Sequence, residues 1–208
     1  MRPSVQSPDS IPRQEQIIQT VISLIAEHGY AYTSLQRIAD AASISKATVL
    51  YHFSNKNELV SAAYDTVLAD LTGSVGKAVA AASSPADAVE AYVTSMVGYF
   101  ATSPERARFL VRWLEVSDSG VGVSRNSAGR WGPLAELITQ AQKSGQYSPS
   151  IDPRAHAVAL GGVVDALINE SHADPTFALD ACTATLLFFT RSTADGRALD
   201  TDAPRPSP

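Results

Sequence analysis

Cysteine is nearly missing: Cys182 is the only one among 208 residues, which excludes an internal disulfide and any CxxC metal site. Positive charge is also scarce, with 16 Lys and Arg against 21 Asp and Glu and a net charge of −5. No basic stripe announces a nucleic-acid partner. No apolar run approaches the roughly 18–20 residues that cross a bilayer. The opening residues MRPSVQSPDSIPRQ lack the apolar segment of a signal peptide, so the expectation is a cytoplasmic protein with no membrane partner. GxSxG, HExxH and P-loop motifs are absent, as are paired carboxylates, and the reading is not an enzyme. His52 has no Asp, Glu or Cys at helical spacing, and His156 and His172 lie far apart without matched carboxylates. Neither a metal nor a cofactor is expected.

What the chain does have is helix punctuation. QEQIIQTVISLIAEHG repeats apolar residues at Ile17, Val21, Leu24 and Ile25, one face of a helix, with Gly29 as its stop. TSLQ reads as a capping box, Thr33 as N-cap and Gln36 reaching back. A short helix follows, then a turn at Ser43-Ile44, and Ser45 caps a second short helix running to Phe53. Asn55, with Glu58 three residues on, opens a longer helix through Leu59, Ala63, Val67 and Leu71. A capping residue followed by Pro marks four further starts, at Ser84, Ser103, Asp152 and Asp174. Between them, Leu134, Leu137, Ile138 and Ala141 form a face that Gly145 ends. About nine helices and an all-α fold are expected.

Charge is uneven along the chain. Up to Tyr64 five basic residues balance five acidic ones, and over Thr33–Asn57 Arg37, Lys46 and Lys56 outnumber Asp40. Two short helices joined by a tight turn form a helix-turn-helix. Val49 and Phe53 lie one turn apart and would anchor the second helix on Ile38 and Ala39. Ala47, Thr48, Leu50 and Tyr51 are then directed elsewhere, with Lys46 at the helix start. Small residues, hydroxyls and a lysine suit base edges and phosphates. The same pattern also describes a plain helical hairpin with a solvated face, and periodicity leaves the two readings level.

The stretch TSLQRIADAASISKATVLYHFSNKNELV closely resembles the DNA-binding region of TetR-family transcriptional regulators. The resemblance rests on Thr33, Ile38, Ala39, Ala42, Ser45, His52, Phe53, Asn55, Lys56 and Leu59. It covers the first third of the chain; beyond that only the helix layout is similar. Two residues depart from the family pattern. Ser43 replaces the usual turn glycine, which is tolerable if this residue avoids left-handed geometry. Leu50 stands where many members have Tyr, and could instead pack on a thymine methyl group.

The resemblance implies double-stranded operator DNA as partner. Lys46, Ala47, Thr48 and Leu50 would face the major groove, and Thr33, Ser34, Ser45, Tyr51, His52 and Lys56 would hold phosphates. The resemblance and the helix pattern together set the expected domains: a flexible N-terminus over 1–10, the helix-turn-helix domain over 11–56, a helical ligand-binding and dimerisation domain over 57–194, and a loose tail over 195–208, which lacks an apolar pattern. For the larger domain the resemblance implies a small-molecule effector. Tyr92, Met96, Tyr99, Phe100, Phe109, Trp113 and Trp131 could line a largely apolar pocket there. It further implies a homodimer through the last two long helices. The Ala- and Gly-rich stretch around Val158, Gly162 and Asp165 allows close approach. FALDACTATLLFFTRS is apolar on two faces, with Ala181, Thr185 and Phe188 on the second. The resulting expectation is a ligand-responsive repressor on a pseudo-palindromic operator. The alternative is a helical ligand-binding or scaffold protein without sequence-specific DNA binding.

Overall fold

The computed structural model describes residues 10–117, 127–174 and 176–194. Among them are nine α-helices, one 3-10 turn and no strand, the all-α fold expected. The helices are α1 (Ser10–His28), α2 (Leu35–Ala41), α3 (Lys46–His52), α4 (Lys56–Ala80), α5 (Pro85–Thr102), α6 (Pro104–Ser117), α7 (Ser127–Lys143), α8 (Pro153–Ala173) and α9 (Thr183–Ala194). The segments expected to be loose, 1–10 and 195–208, lie outside the described residues except for Ser10, the first residue of α1.

The described residues fall into two compact units that cut across the expected division at residue 56. One contains the residues up to Thr72 together with those from Thr102 through α6; the other contains Gly73–Ala101 and everything from α7 onward. In the first unit, Ile17, Val21, Ile22 and Ile25 of α1 are buried against Ile38 and Ala39 of α2, Val49 and Phe53 at α3, and Leu59, Val60, Ala63 and Val67 of α4. Phe109 and Trp113 of α6 complete this core. Both rings, expected from the sequence among the pocket residues, pack here with α1 and its neighbours. Sequence spacing marks α6 as amphipathic but carries no information on which core its face joins.

In the second unit α7 packs on α8. Trp131, Leu134, Ile138 and Ala141 are buried on one, and Ala157, Leu160, Val164 and Ile168 on the other. Trp131 rests on Gly161, where an added Cβ would sit well inside 3.0 Å of the indole ring. Glu90 of α5 holds Arg191 of α9 through two hydrogen bonds of 2.8 Å, Nε to Oε1 and Nη2 to Oε2. His156 meets Tyr147 edge to face at 6.0 Å, and burial lowers the pKa of the imidazole. Among the described residues no group of three His, Cys, Asp or Glu side chains is placed to hold a metal ion, and no helix is long and apolar enough to cross a membrane.

Four of the expected helix starts hold. Asn55, Ser84 and Asp152 each accept a hydrogen bond from the backbone N–H three residues on, and α6 begins at Pro104 after Ser103. Asp174 does not start a helix. It is the C-cap of α8, and its carboxylate accepts from the N–H and hydroxyl of Thr176 at 2.8 and 2.7 Å. This Asx-type turn uses the same side-chain oxygen that a cap would need, so α9 begins only at Thr183, after the 3-10 turn Asp180–Cys182. Pro175 itself lies outside the described residues.

Gly161→Ala is expected to lower stability by about 1–2 kcal/mol, overpacking of roughly 1–3 kcal/mol offset in part by better helix propensity. Gly76→Ala, whose Cβ would meet nothing within 4 Å, should instead stabilise by up to about 1 kcal/mol. Denaturant melts of the two variants test the pair.

Candidate nucleic-acid interface

α3 has seven residues, too few to be stable alone, and it is held from within and at both ends. Val49 is fully buried, and Phe53, its C-cap, is buried beside it. Ser45 is the N-cap and accepts from the Thr48 N–H at 3.0 Å, while the Ser45 and Thr48 hydroxyls pair at 2.8 Å. The remaining positions face outward. Lys46 and Ala47 are exposed, Thr48 is half-buried, and Leu50 and Tyr51 are 42% and 82% exposed. The Tyr51 ring meets the half-buried His52 ring at 5.1 Å, nearly perpendicular. Lys46, Ala47, Leu50, Tyr51 and His52 thus share one short helix. An exposed leucine beside an exposed tyrosine on a surface helix is an apolar spot that its own domain leaves uncovered.

The start of α2 differs from the expectation. Ser34, not Thr33, is the N-cap, and its side chain accepts from the Arg37 N–H at 3.2 Å. Thr33 is 3% exposed, and its hydroxyl donates to the Gly29 carbonyl at 2.9 Å. The side-chain donor expected to hold a phosphate is thus engaged inside the fold, as is the Thr33 N–H, which donates to the Tyr30 carbonyl at 3.2 Å. Gln36 does not reach back to the cap but donates to Asp40 at 2.8 Å. Ser34 remains exposed.

The turn between the helices does not meet the condition set for Ser43. Ser43 has φ +55°, the only non-glycine with positive φ among the described residues. The cause is the end of α2. Ile44 N–H donates to the Ala39 carbonyl at 2.9 Å and Ser43 N–H to Asp40 at 3.1 Å, the two bonds of a Schellman motif. That motif needs its first residue past the cap in the left-handed region, where a side chain costs about 1–2 kcal/mol. α7 closes the same way, with Gly145 at φ +74° donating to the Gln142 carbonyl and Gln146 N–H donating to that of Ala141. Ile44 packs on the core beyond the turn.

Lys56 is half-buried. Its ammonium donates to the Tyr30 carbonyl at 2.6 Å and lies 3.5 Å from the centroid of the Tyr30 ring. Tyr32, to which the sequence pattern assigns no role, is 70% exposed just ahead of the α2 cap. Its carbonyl accepts from Arg37 at 2.6 Å. The available signal was an aromatic outside any helical face, placed between a helix stop and the next cap.

These features define a helix-turn-helix protein with a further, wholly helical unit. Residues 17–63 match the family model described as bacterial regulatory proteins, tetR family. A probable acrEF/envCD operon repressor of Escherichia coli K12 is 35% identical over 51 residues, 24% of this chain and 23% of that protein. An uncharacterised HTH-type transcriptional regulator of Mycobacterium tuberculosis is 40% identical over 63 residues, 30% of this chain and 31% of its own length. The matched stretch thus spans a quarter to a third of these relatives. Among solved structures, the fatty acid degradation regulator FadR of Bacillus halodurans aligns with a TM-score of 0.75 at 19% identity, covering 90% of this chain and 96% of its own. FadR of Bacillus subtilis in complex with stearoyl-CoA aligns at 0.70 with 17% identity, covering 86% and 97%. Residues 17–63 are thus similar to the helix-turn-helix region of the tetR family, and the fold of the described residues is shared with the solved regulators that align with it.

Ser43→Gly is expected to raise stability by about 0.5–1 kcal/mol, relief of left-handed strain less the added freedom of the unfolded chain. Urea denaturation measures it, and a loss of stability would refute the strain at this turn.

Proposed function

We propose that the chain is a homodimeric, ligand-responsive transcriptional regulator of the cytoplasm, a repressor that leaves its operator when a small molecule binds. The observation that carries the reading is the outward face of α3, where Lys46, Ala47, Leu50 and Tyr51 stand exposed on a helix pinned by Val49 and Phe53. Lys46 and the small Ala47 would meet the major groove, with Leu50 against a thymine methyl group. Ser34, Ser45, Thr48, Tyr51 and His52 would contribute largely uncharged donors. Few cations make a shallow salt slope per protomer, so affinity has to come from two protomers placing their helices about 34 Å apart on a pseudo-palindromic site.

Dimerisation is supported by an uncovered apolar face. Phe188 of α9 is 74% exposed, with Ala181 and Thr185 exposed before it, and Val158 and Gly162 are exposed on α8. Asp165, half-buried, would mark the edge of that surface. Phe188→Glu is expected to leave a folded monomer in sedimentation velocity; an unchanged dimer would remove α9 from the interface.

For the effector, Tyr92, Met96 and Tyr99 are half-buried on α5, and Phe100 and Trp131 are buried in the same unit. An apolar effector fits these residues, and the stearoyl-CoA of the Bacillus subtilis neighbour supports a ligand with a long apolar part. A hundredfold release requires roughly 2.7 kcal/mol of differential binding between the two states.

Lys46→Ala and Tyr51→Ala should each weaken binding to the DNA upstream of the protein's own gene by roughly tenfold or more, on the scale of 1–3 kcal/mol per contact. Both should keep the wild-type melting temperature. Gel shifts against scrambled DNA provide the control, and unchanged affinity in both variants would sink the assignment of α3.

A further inference from the structure

Lys56 is the first residue of a helix of 25 residues. A cation at that end opposes the helix macrodipole, so its charge needs a local partner. Tyr30 supplies two, the carbonyl at 2.6 Å and the ring face at 3.5 Å. The next residue is tied to the same tyrosine, since the Tyr30 hydroxyl donates to Asn57 Oδ1 at 2.5 Å. Trp113 of α6 lies against the Tyr30 ring, with centroids 5.6 Å apart and planes tilted by 53°. Trp113 is itself buried in the core that holds Val49 and Phe53. The chain leaves α3 at His52 and enters α4 at Lys56, so the first turn of α4 sets where the end of α3 lies.

We propose that Tyr30 and Lys56 form a clamp that positions α3, with Lys56 an internal cation rather than a phosphate ligand and Trp113 supporting the tyrosine ring. Lys56 is thus a positioning residue. The inference rests on the DNA-binding reading and revises it at one residue. A lysine that grips a phosphate adds to binding on any sequence and adds to the salt slope. A lysine that orients α3 adds only to recognition of the correct sequence.

The experiment is a salt series of operator and scrambled-DNA titrations with the full-length protein. Lys56→Met keeps the stem without the charge, Tyr30→Leu removes the ring, and Tyr30→Phe keeps it. Lys56→Met and Tyr30→Leu should each weaken operator binding about fivefold, the scale of a cation–π contact, with scrambled-DNA affinity and salt slope unchanged. Tyr30→Phe should stay within about twofold of wild type, and the double variant should be no more than about twofold worse than the weaker single. A salt slope that drops by about 0.9 per protomer in Lys56→Met, with scrambled DNA equally affected, makes Lys56 a phosphate ligand and overturns the clamp. Additive losses in the double variant overturn it as well. If Tyr30→Leu does not fold, the slope of Lys56→Met still decides. Failure of the underlying reading is separate and shows in the wild type, as no preference for upstream over scrambled DNA.

Discussion

A helix of seven residues cannot persist by its own hydrogen bonds, so every property of the candidate interface depends on how α3 is fastened. Burial of Val49 and Phe53, each worth about 1.5–3 kcal/mol by area, fastens it from one side only. That one-sidedness creates the surface. A helix anchored by residues one turn apart must turn the positions between them outward, and here those carry Leu50 and Tyr51. The caps extend the same logic to both ends: Ser45 takes the free N–H at the start, and Phe53 closes the finish while entering the core. Holding the helix and displaying it are one arrangement.

Much of this was legible in the sequence because the interactions are local. Ser45 and Asn55 announce themselves as caps, and the apolar spacing of α1 and α4 gives their buried faces directly. Where two neighbours compete for one role, the sequence does not choose. Thr33 and Ser34 can both cap α2, and the choice falls to Ser34 because the Thr33 hydroxyl is satisfied by the Gly29 carbonyl. Asp174 can cap forward or close an Asx-type turn, and the turn prevails. Ser43 shows a different limit. Its residue type argues against left-handed geometry, yet the hydrogen bonds that end α2 require it.

The aromatics mark where local reasoning stops. Tyr92, Phe109, Trp113 and Trp131 look alike as residues on middle helices, but α6 delivers Phe109 and Trp113 to the core of the helix-turn-helix unit, whereas α5 and α7 belong to the other. No periodicity encodes that assignment, because an apolar stripe says that a face is buried and not against what. Lys56 carries the same lesson in charged form. Its place in the motif is plain from the sequence, and its engagement with Tyr30 is visible only once α4 is set against the end of α1.

The separation of the two tryptophans has a practical side. The chain has two in all, and each sits in the core of a different unit. Intrinsic fluorescence is therefore already divided between the unit that carries α3 and the unit that carries Tyr92, Met96 and Tyr99. Replacing one indole by phenylalanine leaves an optical probe that reports on a single unit, with no dye attached and no label near Cys182.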